Sequence, residues 1–306
     1  MRRLLLIAPI LLLVSGAVWF VTSGADLRVA AWAAGWQREF QTTLASGLRA
    51  LRAGEPGALG AMLSICFAYG FFHAVGPGHG KFLIGGYGLG REVPVLRLSA
   101  ISVLSSLGQA GSAVALVGTG LFALGWTRQQ LTDTAESVML PLGTLAIALV
   151  GAWLMLRGAL RLWRVLRPAA APAAAHAHDH HHDHSACGCG HRHGPAPEDL
   201  EGRGTLAETL ALIASIAIRP CSGAILLLVL TWHMGIFGAG VLGTVAMSLG
   251  TAALTVAVAV VSVFARRSTV LSLGSGGRAR LAMPAIEIAA GLLAALLAIE
   301  MIGVAV

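Results

Sequence analysis

Seven apolar runs punctuate the chain, near 4–22, 58–76, 98–124, 138–159, 206–230, 238–264 and 282–304. A helix needs roughly 17–25 residues to cross a bilayer, so each run predicts a membrane span. Two of these segments carry a built-in interruption. Residues 58–90 stay apolar or small throughout, too long for one straight span, and contain Gly76-Pro77-Gly78. Proline removes a backbone donor and clashes with the preceding turn, so the sequence predicts a broken helix there. A second break is predicted at Arg219-Pro220, about midway through the fifth span. Between the first two runs, Trp32, Trp36, Phe40, Leu44 and Leu48 recur among charges at near-helical spacing. That pattern predicts an amphipathic helix on the outer membrane face, or a linker packed on the bundle.

The pattern as a whole reads as an all-α polytopic membrane bundle of about six to seven spans. Residues 1–25 form a retained first helix or a signal-like anchor, and 26–57 the amphipathic segment. Residues 58–165 form a first three-span unit and 206–306 a second, joined by a polar loop at 166–205. Three spans per unit give the two units opposite orientations, the arrangement of inverted-repeat transporters, and the broken helix falls first in each. Ala239 and Gly243 have the small-residue spacing that lets helices approach closely.

Composition agrees with the pattern. At 56% hydrophobic and 11% charged, the chain falls far below the charged fraction of about 25% usual in soluble domains. The net charge of +7 would suggest nucleic acid in a soluble protein; here it is topological. With Arg2 and Arg3 in the cytoplasm, 15 of the 21 basic residues lie on that side and five outside (Arg28, Arg38, Arg49, Arg52, Arg128). The positive-inside rule then puts the N-terminus and the 166–205 loop in the cytoplasm.

That loop holds the densest chemistry. Eight of eleven histidines fall in 176–193: His176, His178, His180, His181, His182, His184, His191 and His193, with Cys187 and Cys189. Imidazole and thiolate are ligands of borderline transition metals, whereas Mg²⁺ and Ca²⁺ want oxygen. The tract has no fixed ligand spacing and is expected to be disordered without metal, capturing ions at the pore mouth without being the translocation site.

Within the membrane, His73 and His79 bracket Gly76-Pro77-Gly78. In a continuous helix residues six apart are rotated by about 240°, so the two imidazoles could share an ion only if the helix unwinds. A helix broken at depth is tolerated where its free backbone groups line a cavity, and such breaks form ion sites in secondary transporters. Lys81 reads as a cytoplasmic anchor. In the second break, Arg219-Pro220-Cys221-Ser222 adds a soft thiol ligand and an intramembrane arginine, whose expected counter-charge is Glu287. Gln109 with Ser105 and Ser106 makes a polar patch read as a helix–helix hydrogen bond, and His233-Met234 an interfacial pair. No glycine-rich loop followed by Lys-Ser/Thr occurs, and the chain is read as neither an enzyme nor an ATP-coupled protein.

His73-Ala-Val-Gly-Pro-Gly-His79-Gly-Lys81, the histidine-rich loop and Arg219-Pro-Cys-Ser-Gly-Ala224 together resemble the nickel/cobalt efflux permease (NicO/RcnA-type) family, from about residue 58 onward. The resemblance implies export of Ni²⁺ and Co²⁺, with Zn²⁺ also open, from the bacterial cytoplasm across the inner membrane, driven by the proton gradient. No catalytic cofactor is implied; the expected partners are divalent transition-metal ions and the bilayer, with no nucleic acid. Related uptake permeases carry an aspartate before the second histidine, where this chain has Gly78. Uptake, a thiol–disulfide electron carrier using Cys66 and Cys221, and a non-transporting metal buffer or sensor remain the alternative readings.

Overall fold

The computed structural model describes residues 23–76, 79–167, 205–273 and 277–305. The first apolar run and the histidine tract lie outside the described residues. The chain forms helices α1 (Ala25–Arg52), α2 (Ala58–Val75), α3 (His79–Gly90), α4 (Val95–Gly118), α5 (Arg128–Thr134), α6 (Leu140–Leu166), α7 (Leu206–Ala217), α8 (Ser222–His233), α9 (Phe237–Leu273) and α10 (Gly277–Ala305). No strand is present among the described residues.

Four helical stretches are long and apolar enough to span a bilayer: Ala58–Val75, Val95–Ala123, Arg128–Leu166 and Phe237–Leu271. The pair α7 and α8 makes a fifth if counted as one bent span, with 60° between its halves. The last apolar run lies in α10, of which Leu281–Leu296 is a shorter apolar helix. The protein is an α-helical membrane bundle. Both predicted interruptions are real: α2 stops at Val75 before the Gly-Pro-Gly, and α7 stops at Ala217 before Arg219-Pro220. Short π-type turns, Thr119–Ala123 and Ala135–Met139, widen the backbone on either side of α5.

The packing exchanges partners between the halves. The first broken helix packs on α9, the second helix of the other half; the second broken helix packs on α4, its counterpart. The equivalent pairs α4–α9 and α6–α10 meet each other. Lipid offers no hydrophobic force to hold helices together, so close backbone approach has to supply the contact. At the α2–α9 crossing, a Cβ on Gly70 would lie 1.9 Å from the Met247 carbonyl oxygen, and one on Gly250 2.0 Å from that of Phe67. Thr251 Oγ1 donates to Gly70 O across the same contact, at 3.1 Å. Gly151 and Gly291 face each other between α6 and α10 in the same way, each Cβ falling within 3 Å of the other helix's backbone.

Gly70→Ala is therefore expected to force α2 and α9 apart and to lower stability by about 1–3 kcal/mol, the usual cost of overpacking. Thermal unfolding of purified protein in detergent reads this directly. Gly111→Ala, whose Cβ would meet nothing within 4 Å, is the matched control and should melt with the wild type.

The amphipathic segment is a helix and packs on the bundle. Its apolar stripe (Ala33, Leu44 and Leu48, all buried) packs on the bundle. Trp32, Trp36 and Phe40 gather around Phe72 of α2, with ring centroids 5.4, 5.6 and 5.5 Å away. The same two tryptophans remain 53% and 42% exposed, so the helix is docked by one side and presents indoles outward from the other.

Candidate metal centre

The two helix breaks face a common cavity of about 730 Å³. His73, Lys81, Gln109, Arg219, Pro220 and Cys221 line its middle. Arg128, Thr132 and Glu136 line one end, beside α5, where Arg128 and Glu136 are exposed. Ser102, Ile147, Thr255 and Ile84 line it as well. Ile84 belongs to a buried apolar cluster with Leu83, Tyr87, Leu98, Ile101 and Leu212, each no more than 2% exposed, which forms a floor beside the cavity.

His73 sits in the last turn of α2, three residues before Gly76, where the chain leaves the helical path. Cys221 is the N-cap of α8; its carbonyl accepts the first intrahelical bonds from Ala224 N and Ile225 N, at 3.0 and 3.1 Å. The Cys221 thiol lies beside the His73 imidazole and the N–H groups of Gly223 and Ala224, near enough to interact with each. The breaks thus bring together an imidazole and a thiol from opposite halves of the chain.

His79 begins α3, but its side chain lies outside the described residues, as do Pro77 and Gly78. Among the described residues no cluster of three or more His, Cys, Asp or Glu is close enough to enclose a metal. His73 and Cys221 are thus two side chains of metal-binding type that line one cavity.

A supporting layer surrounds the pair, and the sequence pattern did not reveal it. The Tyr69 ring stacks on His73 at 6.0 Å with 8° between planes. Gln41 Nε2, from the amphipathic helix, donates to Tyr69 Oη at 3.4 Å. Gly223 leaves room for this ring, since a Cβ there would lie 2.4 Å from it. The available signals were the four-residue spacing of Tyr69 and His73 on one helix face, and the polar Gln37 and Gln41 among α1's aromatics.

Three sequence expectations change. Lys81 is no cytoplasmic anchor: Nζ donates to the carbonyls of Val75, at 3.1 Å, and Gly76. The break turns the start of α3 back towards the unpaired carbonyl end of α2, and the ammonium satisfies it. Gln109 makes the expected interhelical hydrogen bond, from Nε2 to Arg219 O at 3.4 Å, but it also lines the cavity with Ser105 and Ser106. Arg219 does not pair with Glu287. The Glu287 carboxylate is held by Arg161, 3.2 Å away, and Arg157, 3.7 Å away, both on α6.

Glu287 belongs instead to an ion network beyond the cavity floor. Arg91 at the end of α3 meets Glu208 in the first turn of α7 at 2.7 Å, and Arg157 bridges Glu208 and Glu287. Tyr87 Oη also donates to Glu208, at 3.3 Å, and Arg97 donates to Thr209, at 2.8 Å. In these contacts Arg91, Arg97, Arg157 and Arg161 come from the first half of the chain and the carboxylates of Glu208 and Glu287 from the second, where Arg266 also acts on Glu287. Cys66, the other membrane cysteine, is fully buried against Met62, Leu227 and Gly243 and lines no part of the cavity.

Comparison with known proteins agrees with this geometry. Residues 59–191 match the NicO family model, described as a high-affinity nickel-transport protein. Over 276 residues, 87% of this chain and 82% of the relative, the chain is 30% identical to a Haemophilus influenzae protein named "Putative nickel/cobalt efflux system". No solved structure matches it. With two helix breaks, a shared cavity and a histidine–cysteine pair between them, the chain belongs to the NicO nickel/cobalt transport family.

Proposed function

We propose that this protein exports Ni²⁺ and Co²⁺ from the cytoplasm across the bacterial inner membrane, in exchange for protons. The observation that carries the reading is the meeting of His73 and Cys221 at two facing helix breaks in one cavity. Nitrogen and sulfur ligands select later transition metals over Mg²⁺ and Mn²⁺. Both must shed protons to bind, so metal and protons compete for the same atoms. That competition is the chemical basis for coupling the two gradients.

Direction rests on further observations. The relative's name speaks of efflux. Gly78 stands where the related uptake permeases carry an aspartate. The arginine distribution puts the Arg91 end in the cytoplasm and the Arg128 end outside. In that orientation the cavity mouth beside Arg128 and Glu136 faces outward, and the apolar floor with the ion network closes the cytoplasmic side. Export then requires the floor to open, which alternating movement of the two halves would supply. His79 would join the pair as a third ligand, and the 176–193 tract would hold metal near the closed side.

Inside-out membrane vesicles carrying a metal-sensitive dye test the proposal. Imposing an acidic lumen is expected to drive Ni²⁺ and Co²⁺ inward, the export direction. Accumulation restricted to right-side-out vesicles would instead make the protein an uptake permease. Thiol reduction across the membrane without metal movement would make it an electron carrier. Deleting 176–193 in the same assay should raise the half-saturating metal concentration and leave the maximal rate, because a tethered tract raises only local concentration.

A further inference from the structure

We propose that the outer surface of α6 carries a binding site for the headgroup of an anionic phospholipid. Arg157, Arg161 and Arg164 follow one another at spacings of four and three residues, so they share one face of the helix. With Trp153, Leu156 and Leu160 they bound a groove of about 200 Å³. It lies on the outside of the bundle, separate from the metal cavity and from the floor beneath it.

The surroundings identify the occupant. Leu149, Leu156 and Leu160 are 62%, 59% and 46% exposed, so the face bearing the groove is the one that hydrocarbon covers. Its ligand has to bring apolar chains as well as negative charge. Trp153 lies under the Arg157 guanidinium at 5.4 Å, and Trp163 under that of Arg167 at 3.4 Å. Indoles at this position mark the level of the headgroups. Three guanidinium groups beside an aromatic belt, at the end of a span, form the kind of basic pocket that takes a lipid phosphate.

The groove adjoins the ion network. Arg91, Arg157, Arg161 and Arg266 all act on Glu287 or its neighbourhood, and Arg164 lines the groove. Arg161 connects the two regions: Glu287 takes one side of its guanidinium, while its side chain is 36% exposed. A lipid phosphate would engage the remaining donors and hold the guanidinium from both sides, a use suited to the arginine fork.

The test is fluorescence quenching of the full-length protein in phosphatidylcholine bilayers, with brominated phosphatidylglycerol or brominated phosphatidylcholine added at equal mole fraction. The expected result is stronger quenching by the anionic lipid, with its local enrichment on the order of a hundredfold given three arginines at the surface. Trp153→Phe should remove much of this excess, locating the lipid at the groove. Arg164→Gln should lower it and Arg164→Lys restore it, while Arg128→Gln, at the opposite end, should leave it intact. Equal quenching by the two lipids in the wild-type protein would overturn the site without any variant being needed. So would an excess that survives both Trp153→Phe and Arg164→Gln. An excess abolished by inorganic phosphate would assign the groove to soluble anions and defeat the lipid assignment. None of these readings depends on metal transport.

Discussion

Replacing His73 with alanine is expected to abolish nickel and cobalt transport while the protein still inserts and folds. The imidazole is half of the nitrogen–sulfur pair, and among the described residues it is the histidine that reaches the cavity. Changing a group that merely supports a ligand typically costs 10–100-fold in metal affinity or activity, so removing the ligand itself should cost more than about 100-fold. The stack on Tyr69 is lost as well, but that ring remains held by Gln41 and wedged against Gly223. Alanine at the end of α2 is a good helix former, so the break itself should survive. Cys221→Ser makes the complementary point: oxygen replaces sulfur at nearly constant size, and preference should shift away from Ni²⁺ and Co²⁺ towards harder ions such as Mn²⁺. Dye-loaded proteoliposomes measure both, with thermal melting to establish folding. Full transport by a well-folded His73→Ala protein would remove the site from the pathway, and unchanged preference in Cys221→Ser would remove the thiol from coordination.

The parts of this molecule that could be read from sequence are those that depend on position along one helix. Gly76-Pro77-Gly78 and Arg219-Pro220 end their helices through local backbone chemistry, which no tertiary contact can easily override. The same holds for α1, whose buried stripe is visible as a period. What sequence did not disclose is rotation. Hydropathy places Arg219 and Glu287 both within apolar stretches, and pairing them follows from depth and opposite charge. It does not say which face of α10 meets which neighbour. In the fold Glu287 is turned against α6, close to Gly90, whose missing Cβ leaves it room. Lys81 was misread for a related reason. Its place just after the break suggested a snorkelling cation, but a break also creates unpaired carbonyls, and those were nearer.

The ion network adds a condition that the metal site alone does not impose. Under the proposed export the two halves would have to separate at the Arg91 end, and the contacts to be undone there are ionic. Arg91–Glu208 at 2.7 Å has the length of a charge-assisted hydrogen bond, whereas the contacts to Glu287, at 3.2 and 3.7 Å, are looser. A graded set of this kind can hold the floor closed without locking it. Buried ion pairs add little net stability over apolar packing, but they make one alignment of the halves strongly preferred over a displaced one.

Glu287→Ala is accordingly expected to be the most destabilising single substitution at this end of the bundle. The carboxylate is 1% exposed, and its loss strands Arg157 and Arg161 beside each other with no opposite charge from α10. Removing one member of a buried pair typically costs about 3–5 kcal/mol, because the remaining charge is left uncompensated. Here the cost should fall towards the lower figure, since Arg161 is 36% exposed and Arg157 keeps Glu208. Arg161→Gln should cost much less, because Glu287 then retains Arg157 and the vacated position is partly solvated. The double substitution Glu287→Ala with Arg161→Gln should recover part of the loss, as removing both charges leaves less uncompensated than removing one. Thermal or denaturant unfolding of the four proteins in one detergent measures the order. If Glu287→Ala melts with the wild type, or the double variant is no better than the sum of its parts, the network is incidental. The halves would then be held at this end by the glycine-lined contact of α6 and α10 alone.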